Sequence, residues 1–175
     1  SEDTLSIVNT HIPETIEVNV TKVWNDAGDN DGKRTTSVTV ELLADNKVID
    51  TVELSAGNNW KHTFTGLAKY ANGREIVYKI TENNVPADYT AKIVFCEGVF
   101  KVVNTHIPEN TSIGVSKVWE DADNQDGIRP DYITIQILAS GNEFKLVKVT
   151  GENNSTVNVT NLPKYSNGQK IVYTV

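Results

Sequence analysis

Val18-Asn19-Val20-Thr21-Lys22-Val23-Trp24 puts Val18, Val20 and Trp24 on one parity and Asn19 and Thr21 on the other. Successive side chains of a strand point to opposite faces, so this reads as a half-buried strand. The stretch also returns: Val20-Thr21-Lys22-Val23-Trp24 recurs as Val115-Ser116-Lys117-Val118-Trp119, 95 residues later. The same offset relates Lys69-Tyr70-Ala71-Asn72-Gly73 to Lys164-Tyr165-Ser166-Asn167-Gly168, Ile76-Val77-Tyr78 to Ile171-Val172-Tyr173, and Val8-Asn9-Thr10-His11-Ile12-Pro13-Glu14 to Val103-Asn104-Thr105-His106-Ile107-Pro108-Glu109. No gap is needed. A unit of this length is domain-sized, too long for a solenoid repeat.

The register predicts three segments: 1–12, the last strand of a preceding truncated repeat; 13–107, a complete repeat; and 108–175, a second repeat that stops before its last strands. The Pro-containing connection at 106–112 favours restricted bending. Val38-Thr39-Val40-Glu41-Leu42 and Ile133-Thr134-Ile135-Gln136-Ile137 alternate in the same way, and turn clusters at 29–32, 45–46, 56–59, 71–73 and 97–98 separate such runs. Several short strands in under 100 residues predict an all-β chain of tandem antiparallel β-sandwiches.

Composition narrows the function. A net charge of −7 with no Lys/Arg cluster argues against nucleic acid and a polybasic membrane contact. No apolar run approaches the roughly 20 residues of a membrane helix, so no membrane insertion is expected. A single Cys excludes an intrachain disulfide framework or a thiolate zinc site. With no Met at all, the stretch reads as a piece of a longer protein.

Strand parity exposes an anomaly. Lys22 shares its face with Val20 and Trp24; Glu82 is in phase with Ile76, Tyr78 and Ile80; Asn104 is in phase with Phe100 and Val102. Strand-end residues often point to the rim, but Lys22 lies between two apolar positions. Lys and Glu are seldom buried unless paired. A Lys amine desolvated among apolar groups is a nucleophile, an Asn side chain offers an amide carbon, and a carboxylic acid can relay protons. Attack with loss of ammonia would give a Lys–Asn isopeptide crosslink.

Thr21-Lys22-Val23-Trp24-Asn25-Asp26, the Asp31-Gly32-Lys33-Arg34 turn, Asn59-Trp60, Tyr78-Lys79-Ile80-Thr81-Glu82 and Val103-Asn104-Thr105-His106 occur in an order that resembles the Cna protein B-type repeat. That family supplies stalk domains of Gram-positive surface adhesins and pilins. The resemblance implies a prealbumin-like or reverse-immunoglobulin sandwich on an extracellular, cell-wall-anchored protein. It also implies a spontaneous crosslink between Lys22 and Asn104 with Glu82 as proton relay, and no cofactor. Two sites are incomplete. Lys117 repeats the lysine, but its acid and amide counterparts would be positions 177 and 199. Asn9 repeats the asparagine without a lysine of its own repeat.

Other readings are weaker. The turns at 27–32 and 122–127 look like calcium loops but begin with Ala27 and Ala122 where an acid is needed, so an ordinary acidic turn is expected and no metal. Cys96 reads as a structural thiol, His62 as a packing residue, and His11 and His106 as contacts near the repeat junctions. The alternative function is a ligand-binding adhesin module gripping a host matrix protein or glycan, for which Trp60, the counterpart of Ser155, is the one candidate. A turnover enzyme has no nucleophile–base motif behind it. The expected partners are neighbouring repeats, with head-to-tail donation of strand 4–10 to the second repeat of another chain as a further possibility.

Overall fold

The computed structural model describes residues 5–150 and 156–175. Thr4, at one end of the candidate donor strand, and Ser155 lie outside the described residues. By packing, the chain divides into two compact units: Thr35–His106 with the chain up to Asn25, and Ile107–Val175 with Asp26–Arg34.

The first unit contains β1 (Thr15–Asn25), β2 (Ser37–Ala44), β3 (Lys47–Ser55), β4 (Lys61–Ala68), β5 (Tyr70–Ala71), β6 (Arg74–Glu75), β7 (Tyr78–Asn83), β8 (Thr90–Cys96) and β9 (Val99–Thr105). One sheet has the order β4-β1-β9-β8 and the other β3-β2-β7. The expected sandwich is therefore present, and its inner faces carry the in-phase apolar residues. Val20, Val40, Leu42, Leu54 and Val102 are all at most 2% exposed. Each such side chain taken from water contributes about 1.5–3 kcal/mol.

All pairings of the two main sheets are antiparallel except one: β1 and β9 run parallel, from Asn19↔Val99 to Asn25↔Thr105. Parallel neighbours cannot be joined by a hairpin. Here the rest of the first unit forms the crossover, which makes the first and last strands immediate neighbours. The turns fall where turn residues predict them. Asp45 and Asn46 (φ 48° and 69°) close β2 to β3, and Glu97 with Gly98 (φ 53° and 78°) closes β8 to β9.

The second unit contains β10 (Asn110–Ser116), β11 (Tyr132–Ala139), β12 (Asn142–Thr150), β13 (Thr156–Pro163), β14 (Tyr165–Ser166), β15 (Gln169–Lys170) and β16 (Tyr173–Thr174). β10 pairs with β13, and β11 lies between β12 and β16. Ile137, Val149, Val159 and Leu162 are buried, whereas Ile133 and Ile135 are only half-buried. Their counterparts Val38 and Val40 are 4% and 0% exposed. Less apolar area leaves water, so the second unit will unfold first. Hydrogen exchange should show Ile135 and Ile137 amides opening at lower free energy than Val40 and Leu42. Equal protection would refute this.

Residues 5–14 lie outside every strand, with Leu5, Ile7, Val8 and Ile12 exposed. His106, expected near a repeat junction, turns into its own unit: its Nδ1 is 2.9 Å from Asp88 O, and its ring packs 5.3 Å from Tyr89. His62 packs edge-on against Phe64, as expected of a packing residue.

Candidate functional site

Three strands bring Lys22, Glu82 and Asn104 together. In the parallel register Lys22 faces Val102 and Trp24 faces Asn104, so Lys22 and Asn104 are diagonal neighbours on one face of adjacent strands. Adjacent strands are about 4.8 Å apart, within reach of a lysine side chain. Glu82 comes from the opposite sheet, where it pairs with Val40 of β2.

The site is dry. Lys22 is 5% exposed and Asn104 is fully buried, with Glu82 half-buried beside it. Asn104 Nδ2 donates to Glu82 Oε1 at 2.8 Å. Lys22 Nζ donates to Val102 O and Val23 O, both at a long 3.3 Å. Asn104 Oδ1 and Glu82 Oε2 are buried and have no hydrogen-bond partner among the described residues. Unsatisfied buried oxygens are costly and rare, and two of them lie on two of the three groups that the sequence nominates for chemistry.

An aromatic wall closes this end of the core. Lys22 Nζ lies 4.1 Å from the centroid of the Trp24 ring. Trp24 is held edge-to-face by Trp60 at 5.5 Å and by Tyr89 at 5.1 Å. Trp60, the candidate ligand-gripping residue, is thus half-buried against the core. Its backbone O also accepts from Lys22 N–H at 2.8 Å.

Lys117 and Asn9 sit differently. Lys117 follows β10, donates to Val118 O and lies 4.0 Å from the Trp119 ring, so the lysine–tryptophan pair is repeated. Asn9 is exposed and outside any strand.

Sequence reading missed what the acidic turn does. Asp26 is 2% exposed, and the Arg34 guanidinium grips both its oxygens, at 2.6 and 2.5 Å. Asp29 Oδ1 caps the N–H groups of Lys33 and Arg34 at 2.7 and 3.0 Å. These carboxylates are occupied by a cation and by backbone donors of the chain itself. Among the described residues no cluster of three or more metal-ligating side chains occurs. The second repeat makes the same pair, Arg129 gripping Asp121. The signal was available, because Asp26 and Arg34 both recur at the 95-residue offset.

Comparison with known proteins follows the same lines. The family model for the Cna protein B-type domain matches residues 18–105 and 113–175. The collagen adhesin of Staphylococcus aureus is 41% identical over 172 residues, covering 97% of this chain and 14% of that protein. The crystal structure of two B repeat units (B1B2) of the collagen-binding protein Cna of Staphylococcus aureus superposes with a TM-score of 0.86 at 40% identity, over 91% of this chain and 43% of that one. The chain thus spans about a seventh of its curated relative.

Proposed function

Since this chain belongs to the Cna protein B-type domain family, we propose that it is a stalk segment of a bacterial surface adhesin, locked by a self-formed amide between Lys22 and Asn104. The observation that carries this reading is a lysine and an amide buried on one face of adjacent strands beside a half-buried carboxyl group, with Asn104 Nδ2 2.8 Å from Glu82. Stalk repeats act outside the cell, tethered to the wall, and hold an adhesive region away from the surface. Their direct partners are neighbouring repeats.

The reaction balances without a cofactor. The neutral Lys22 amine attacks Asn104 Cγ, forming the Nζ–Cγ bond. The Cγ–Nδ2 bond breaks, and Nδ2 leaves as ammonia with a proton originating on the amine. Glu82 touches Nδ2, the departing atom, so it is the group suited to carry that proton. Desolvation favours the uncharged amine, and fixed strands replace a bimolecular encounter by a positioned one. Each site reacts once, so this is maturation rather than turnover. Peptide mapping tests it. A branched peptide joining the segments around residues 22 and 104 is expected; separate unmodified peptides would overturn it.

The finer partner reading is strand donation. Residues 4–10 repeat the sequence positions of β9, and residues 5–10 are exposed and outside strands. Laid parallel to β10 of another chain, they would bring Asn9 toward Lys117. No acid accompanies them, so docking without efficient bond formation is expected. Deleting residues 1–12 should weaken self-association at high concentration; unchanged association refutes donation.

A further inference from the structure

The second unit includes the loop Asp26–Arg34, seated on the turn between β14 and β15. Gly168 N–H donates to Asn30 O at 2.9 Å, and Glu109 N–H donates to Asp31 Oδ2 at 2.8 Å. The Gly32 and Gly168 backbones touch: a Cβ on Gly32 would stand 2.6 Å from Gly168 Cα. Both glycines have positive φ, +65° and +73°, so a side chain at either meets main chain as well as backbone strain.

The first unit builds the same seat, and among the described residues nothing fills it. Lys69 N–H donates to Glu14 O at 3.0 Å, as Lys164 N–H does to Glu109 O at 3.0 Å. Lys69 Nζ pairs with Glu14 as Lys164 Nζ pairs with Glu109. Ile76 N–H and Ile171 N–H close the two turns on Lys69 O and Lys164 O, at 3.0 and 2.9 Å. Yet a Cβ on Gly73, the counterpart of Gly168, would meet nothing within 4 Å.

The loop is duplicated too. Ala27, Asp29 and Gly32 have φ of 53°, 64° and 65°; Ala122, Asn124 and Gly127 have 49°, 62° and 68°. Gly127 N–H donates to Asn124 O at 2.9 Å, as Gly32 N–H does to Asp29 O at 2.9 Å. Asp126 stands where Asp31 stands, and a Cβ on Gly127 would meet nothing within 4 Å.

We propose that the Asn72–Gly73 turn, together with the Glu14 amide, is a docking surface for the Gln125-Asp126-Gly127 loop of a second copy of this chain. Among the described residues one seat is occupied and one is open, and one loop is used while its duplicate is not. The ligand chemistry is fixed by the occupied seat: a carbonyl for the Gly73 N–H, a carboxylate for the Glu14 N–H, and a glycine where the backbones meet. Two hydrogen bonds and a glycine contact make a weak joint between separate molecules. Linking repeats in one chain raises the effective concentration to the order of millimolar, where such a joint becomes populated.

Amide NMR spectra recorded as the protein concentration rises into the millimolar range test this. The Gly73, Glu14 and Gly127 amides should shift together along one binding curve. Gly127→Ala should abolish the shifts at Gly73 and Glu14, because its Cβ would strike the Gly73 backbone. Gly66→Ala, at a glycine with φ +67° and equally open surroundings, carries the same backbone strain and should leave them intact. Absence of concentration-dependent shifts at Gly73, or their survival in Gly127→Ala, would overturn the proposal. Shifts confined to β10 would point to strand donation and overturn it equally.

Discussion

The folded chain should weigh one ammonia less than its sequence mass, and Asn104→Ala should restore the full mass and lower thermal stability sharply. The crosslink would close a span of 82 residues from Lys22 to Asn104. By analogy with a disulfide closing a loop of that size, the loss would be about 4–5 kcal/mol. Asn104→Ala also deletes a buried amide, so the expected loss is not the bond's alone. Glu82→Gln separates the two effects. It keeps the shape of the core and should leave the mass uncorrected and the stability reduced. If the folded wild type has the unmodified mass, the crosslink is refuted.

The parallel pairing of β1 with β9 explains what such a bond would do mechanically. Load entering at Thr15 runs along β1 to Lys22, crosses to Asn104 and leaves at Thr105, one residue on. The chain from Val23 to Val103 then bears no load. Without the bond, the same pull shears β1 from its neighbours and reaches the whole first unit. Force spectroscopy should therefore show a shortened extension in the wild type and the full unfolding length of the first unit in Asn104→Ala.

The second large effect is expected at Arg34. Arg34→Met keeps the apolar stem but removes the guanidinium from Asp26, whose side chain is fully buried. A buried carboxylate that loses its cationic partner costs about 3–5 kcal/mol, with the low end expected here because Asp29 N–H still donates to Asp26 Oδ1 at 3.2 Å and the Arg34 side chain is itself 32% exposed. The damage should concentrate in the loop 26–34 and its seat, read as faster exchange of the Gly168 amide. Adding Asp26→Asn should recover much of the loss, since it removes the stranded charge. No recovery in the double variant would show that the pair is not the source of the effect. The repeated pair gives a pH test. Hydrogen bonding from Arg129 holds the Asp121 carboxyl below the usual carboxylate range. Its stabilisation is complete above the ordinary carboxylate pKa and is lost as pH falls through the lowered value. Arg129→Met should remove that acid-dependent step.

The sequence by itself determined whatever follows from alternation and from repetition. Period-two patterning is local, because the backbone turns each side chain to the opposite face of its neighbour's. Parity alone therefore assigned Val18, Val20, Val38, Val40, Leu42, Ile80 and Val102 to a core, and nominated Lys22, Glu82 and Asn104 as polar residues in it. The gapless offset likewise marked Lys117 as a repeat of the same lysine. Tertiary structure alone decided which strands become neighbours. Nothing within β1 or β9 specifies that they lie side by side and parallel, or that β7 stands across from them with Glu82 against Asn104. Such choices depend on residues 60 or 80 positions apart competing for the same face. For the same reason the sequence marked 26–34 as an acidic turn without showing that Arg34 holds Asp26. Trp60 looked like a surface anchor until Trp24 was found edge-on to it. The loop 26–34 belonged to the first repeat by sequence, and packing assigned it to the second unit, because only in three dimensions do Gly32 and Gly168 meet.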